Sequence, residues 1–123
     1  MQSVERAVRL AIAPGTALAT PTGRGTFIVH QLREDALVLL LGQSQAWTLL
    51  PWSRLEGVVP YLAGRGWVII GSRFDVEGQD GTLDAYLKTV IKRATAGWVA
   101  VVLETAGIVE LSRERPARVR LRS

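Results

Sequence analysis

The chain has 123 residues, 48% of them hydrophobic and 21% charged, the balance of one folded domain or of two small lobes that share a core. It has no cysteine, which excludes disulfides, a thiolate nucleophile and a Cys-based zinc site. Fifteen basic residues stand against eleven acidic ones, and the excess is local: residues 86–123 hold eight Lys/Arg and three Asp/Glu, whereas residues 1–85 hold seven and eight.

Apolar runs such as residues 36–41 fall far short of the roughly 20 residues that span a bilayer. No secretion-signal pattern opens the chain. The expected protein is therefore cytoplasmic, with no membrane partner. Thirteen of its basic residues are arginine and two are lysine, Lys88 and Lys92. A G+C-rich genome can produce such a bias, but it does not explain why the surplus sits at one end.

Residues 3–12 read as an amphipathic helix. Ser3 is its N-cap, and Val4, Ala7, Val8, Ala11 and Ile12 recur at helical spacing. Pro14-Gly15 ends it. Residues 16–51 read as a β-meander, with strands at 16–20, 26–32, 36–41 and 46–50 separated by turn-rich segments. A small curled sheet or SH3-like half-barrel is expected. Ser53-Arg54-Leu55-Glu56 matches a capping box, so a helix should start there, with Glu56 reaching back to its first amide. Pro60 should kink it and Gly64-Arg65-Gly66 should stop it. Residues 67–70 form a short apolar strand.

Residues 71–81 are a polar, acidic loop. Thr82 caps a helix whose apolar face is Leu83, Tyr86, Leu87, Val90 and Ile91, with Asp84 placed to suit the helix dipole. Lys92-Arg93-Ala94 is a tight turn. Thr95 caps a second helix through Thr105, and Gly107 is its C′ residue. Residues 108–111 are a strand and residues 112–116 a basic turn. Residues 117–122, Ala-Arg-Val-Arg-Leu-Arg, alternate strictly between apolar and cationic. Side chains of a strand point to alternate faces, so Val119 and Leu121 should face a core while Arg118, Arg120 and Arg122 form a row in solvent. Such a row is either a docking face for a polyanion or an edge strand protected by charge.

From residue 53 the order is helix, strand, helix, helix, strand, turn, strand, and the third helix ends in a Leu-x-x-x-Gly-apolar-apolar run, Leu103 to Val109. This resembles the winged helix-turn-helix superfamily, in which the basic turn is called the wing. The expected fold is thus α+β: an N-terminal helix and β-meander lobe (1–52), then a winged-helix lobe (53–123), joined as one unit. The resemblance implies binding of double-stranded DNA, with the third helix against the major groove and the wing on backbone or minor groove. Lys88, Lys92, Arg93 and Thr95 then gather near the start of that helix, where phosphates accept bonds from side chains and free amides together. Arg113 and Arg115 sit on the wing, and Arg118 and Arg120 on the hairpin behind it. Six phosphate contacts would give a log–log salt slope of about −5.

One feature opposes base reading. Residues 95–105 offer a groove almost no polar side chain, and readout normally needs Arg, Lys, Asn or Gln. Either the contact is to phosphate and shape, or the helix packs on the N-terminal lobe or a second copy, or the module binds protein. A dimerisation scaffold built on the third helix is the alternative function. Binding of single-stranded DNA or RNA on the β-lobe is the next.

No catalysis is expected, and no cofactor or metal. His30 is the only histidine, and no acid or nucleophile stands near it in sequence to form a relay. Counting from Asp75 as an EF-hand loop puts Asp80 where glycine is required and Tyr86 where glutamate is required. Gly23-Arg24-Gly25 and Gly64-Arg65-Gly66 complete no phosphate-loop pattern. The four tryptophans, Trp47, Trp52, Trp67 and Trp98, offer stacking surfaces for bases. Their placement predicts packing for at least three, with Trp52 joining the lobes.

Overall fold

The computed structural model describes residues 3–21, 23, 25–42, 44–70, 82–90, 96–114 and 117–122. Helix α1 (Val4–Ala11) starts as its sequence predicts, with the Ser3 hydroxyl accepting the Arg6 N–H at 3.0 Å. It buries Val4, Ala7 and Val8. Strands β1 (Thr16–Ala19), β2 (Thr26–Leu32), β3 (Ala36–Leu41) and β4 (Ala46–Pro51) then form one antiparallel sheet in chain order. Phe27, Val29, Leu37, Leu39 and Leu50 point from it into the core. A bulge between Val29 and Gln31 shifts the β2–β3 register by one residue. Its effect is to bring His30 and Gln31 onto the outer side of the sheet, a placement that simple alternation does not give.

The next helix departs from expectation. It is two short segments, α2 (Trp52–Glu56) and α3 (Val58–Leu62), divided at Gly57 rather than at Pro60. Pro60 falls in the first turn of α3, where its missing N–H has no intrahelical partner to lose. The capping box does not form either. The N-cap of α2 is Pro51, with no side-chain bond. Glu56 instead caps α1: its two carboxylate oxygens accept the Val4 and Glu5 amides at 2.9 and 3.0 Å. A carboxylate at a helix N-terminus gains from the free amides and from the helix dipole together, and the packing of α1 on α2 offers Glu56 that site. Glu56→Ala should therefore destabilise the fold by about 1–3 kcal/mol, and Glu56→Gln, which keeps one acceptor, by less. Urea unfolding of the two variants beside wild type checks this.

Strand β5 (Val68–Ile69) is shorter than residues 67–70 suggest, and Trp67 stands outside it. Helix α4 (Leu83–Val90) has its predicted cap, the Thr82 hydroxyl accepting the Ala85 N–H at 3.0 Å. Helix α5 (Ala96–Thr105) ends in a Schellman motif. Ile108 N–H bonds Leu103 C=O and Gly107 N–H bonds Glu104 C=O, with Gly107 at φ +80°, a conformation open chiefly to glycine. Strands β6 (Val109–Ser112) and β7 (Arg118–Leu121) form the last hairpin. The second sheet has the order β5–β7–β6, so β7 is its central strand. The reading of residues 117–122 as a charged edge strand is therefore corrected: both edges of β7 are paired.

One buried cluster takes residues from both halves of the chain, including Val4 and Val8 of α1, Leu39 of β3, Leu55 of α2, Leu103 of α5 and Val119 of β7. Trp52, expected to join the lobes, makes its polar and ring contacts with the N-terminal lobe. Its indole N–H donates to the Arg33 carbonyl at 2.8 Å, its backbone N–H to the Asp35 carbonyl at 3.1 Å, and the Arg9 guanidinium lies over its ring. Among the described residues no helix is long and apolar enough to cross a membrane.

Candidate nucleic-acid interface

Alternation along β7 does what its sequence requires. Val119 is fully buried, Arg120 and the following Arg122 are exposed, and Arg118 is half-buried. The arginine row lies on the outer face of the β5–β7–β6 sheet. Cross-strand register sets Arg118 beside Ile69 on one side and Ser112 on the other, and Arg120 beside Glu110. Arg122 stays tied to the sheet through its backbone N–H, which donates to the Ile108 carbonyl.

Two of the predicted cations already have partners. The Arg113 fork meets Glu104 at the end of α5 with bonds of 2.8 and 2.6 Å, which hold its guanidinium further above its ordinary pKa. Arg120 Nε donates to Glu110 at 2.8 Å, and its guanidinium carbon lies 4.4 Å from the ring centroid of Trp67. Both ion pairs are half open to solvent and contribute at most about 1 kcal/mol each. They orient the guanidinium groups more than they neutralise the face. Glu110 uses one edge of Arg120, which leaves donors of the fork for another acceptor. For Arg118 and Arg122 no ion pair occurs among the described residues.

The rest of the predicted set is divided. Lys88 lies on α4, and its side chain is outside the described set; Lys92, Arg93, Thr95 and Arg115 also lie outside the described residues. Two participants escaped the sequence reading, Glu104 and Glu110, and Trp67 entered it only as one of four tryptophans of which at least three were expected to pack. Hairpin arithmetic about the turn read at 112–116 pairs Glu110 with Arg118, whereas the observed pairing of Ser112 with Arg118 sets Glu110 opposite Arg120. Nothing local marks Trp67 as exposed, because it belongs to an apolar run.

Helix α5 decides how such a face can be used. Val99, Ala100, Val101, Val102 and Leu103 are all buried. Five consecutive residues cover more than one full turn, so that stretch has no outward face. It packs against α1, β1, α4 and β6, and at its start Gly97 faces the Pro21 ring. Of the three readings of this apolar helix, the one in which it packs on the N-terminal lobe describes the structure. The buried middle of α5 is used within the chain and is not offered to a second copy; Trp98, Glu104 and Thr105 are among its half-buried or exposed positions.

The tryptophans also divide differently from the expectation. Trp52 is buried and Trp98 half-buried, but Trp47 and Trp67 are 49% and 43% exposed. His30 stands edge-on to Trp47 with 5.3 Å between ring centroids. No family model, curated protein or solved structure matches the chain.

Proposed function

We propose that the chain is a non-catalytic nucleic-acid-binding module of winged-helix type that docks on the phosphate backbone of duplex DNA through the outer face of the β5–β7–β6 sheet. The observation that carries the reading is the arginine row. Arg118, Arg120 and Arg122 emerge on one face beside the exposed indole of Trp67, with Glu110 the carboxylate facing them across the hairpin. The order α2–α3, β5, α4, α5, β6, turn, β7, with its three strands in one sheet, supports the winged-helix frame.

Burial of α5 changes the mechanism from the one the resemblance implies. Docking here is by phosphate contact from the cationic face of a sheet, without a helix in the major groove. Such contacts position a duplex and release counterions but carry little base information. Three arginine–phosphate contacts give a log–log salt slope of about −3. Fluorescence anisotropy with a random duplex at two salt concentrations tests this. Wild type should bind with that dependence, and Arg118→Glu/Arg122→Glu should weaken binding about 100-fold and flatten the slope by about 2. Absent or salt-insensitive binding by the wild-type chain removes the reading.

A further inference from the structure

The outer face of the four-stranded sheet is a second surface, separate from the arginine row. Register places Ala17, Ile28, Leu40 and Trp47 across it, with Leu49 one pair further along beside Val38, which is itself covered. The inner face of this sheet is the core, so the outer face has no structural need to be apolar. It nonetheless exposes Trp47 and Leu49, at 49% and 44%. Exposed aromatic and aliphatic side chains grouped on one sheet face mark an interaction surface.

One corner of the face is charged. Arg33 Nε donates to Gln31 at 2.7 Å, and its guanidinium lies 5.2 Å from the Trp47 ring centroid. Glu34 and Asp35, in the tight turn that follows, are exposed beside it. A corner that holds an arginine and two acids is complementary to itself. About a two-fold axis, Arg33 of each copy meets the acidic pair of the other, and the two apolar faces close between them.

We propose that this face is the docking surface for a second copy of the chain. A single-stranded nucleic acid would find Trp47 and Arg33 attractive, but its phosphates would pass Glu34 and Asp35, whose charge repels them. The second copy satisfies both signs of charge.

Sedimentation equilibrium of the full chain, without nucleic acid, tests the proposal independently of the duplex-binding reading. Wild type should show a concentration-dependent monomer–dimer equilibrium. Leu49→Glu should be monomeric with an unchanged circular dichroism spectrum, because the native side chain is already half in solvent. Arg33→Glu should weaken self-association about tenfold or more, and Arg33→Glu/Asp35→Arg should restore it, since both copies then carry the exchanged pair. A wild type that stays monomeric at all concentrations overturns the proposal. So does a dimer indifferent to Leu49→Glu. Binding of a single-stranded oligonucleotide that Trp47→Ala abolishes, by a protein that never dimerises, assigns the face to nucleic acid instead.

Discussion

Val101→Glu should leave little or no folded protein. Val101 is 4% exposed and stands in the middle of five consecutive buried residues of α5. A carboxylate there loses its hydration within an apolar cluster. The penalty for an unpaired buried charge is several kcal/mol, comparable with the roughly 5–15 kcal/mol that holds a whole domain together. Protonation would lessen the charge penalty but leaves a buried polar group in place of a methyl-bearing one. Thr105→Lys, on the same helix but exposed, should change stability by no more than about 0.5 kcal/mol. Circular dichroism and urea unfolding distinguish the two. A folded Val101→Glu of near-native stability would mean that α5 offers this residue to solvent or to a groove, and the burial argument would fail with it.

That result bears on function, because the same helix is the one a winged-helix protein turns toward DNA. Its residues could be read in advance as unsuited to base contact, since they lack polar side chains. What covers them was not readable. Two of the four covering elements, α1 and β1, stand about 80–90 residues earlier in the chain, and no local pattern links them to α5. The arginine row shows the opposite case. Its alternation is a local property, and the strand delivers it intact. The central position of β7 was beyond reach, because it depends on pairing with Val68 and Ile69: the strand at 67–70 is legible from its apolar run, but nothing local says which strand it joins.

Caps divide in the same manner. Ser3, Thr82 and Gly107 act within a few residues of themselves and do what their types predict. Ser53 and Glu56 have the same local grammar, yet tertiary packing brings a second helix N-terminus to Glu56, and two amides outcompete one. Trp52 shows the same limit: its burial follows from its size, but its partners, Arg9, Arg33 and Asp35, lie in the N-terminal lobe rather than across the two.

The second large effect is expected at Gly57. Substitution by alanine here should cost about 2–3 kcal/mol, although φ is −69° and the backbone itself accepts any residue. The conflict is steric. A Cβ at this position would run into the Tyr86 hydroxyl, with Tyr86 Cζ only 3.1 Å away. Tyr86 has little freedom to retreat. Its hydroxyl donates to the Arg54 carbonyl at 2.9 Å, and its ring stacks on Tyr61 at 4.9 Å between centroids. Tyr61 is held in turn by its bond to the Thr82 carbonyl at 2.8 Å. Burial pushes the Tyr86 phenol above its ordinary pKa, as a side chain enclosed by these neighbours requires. Tyr86→Phe removes the oxygen that collides. By itself it should cost about 1 kcal/mol, the net worth of the lost hydrogen bond. In the Gly57→Ala background it should be stabilising, so the double variant should be more stable than Gly57→Ala alone, a coupling measurable in a double-mutant cycle. Gly107→Ala is the contrast: nothing lies within 4 Å of its would-be Cβ, so its cost of about 1 kcal/mol comes from the positive φ and no neighbouring substitution should relieve it. If Tyr86→Phe fails to rescue Gly57→Ala, the contact between α2–α3 and α4 is looser than the geometry states. The position of α4 against the first helical pair would then have to be redrawn.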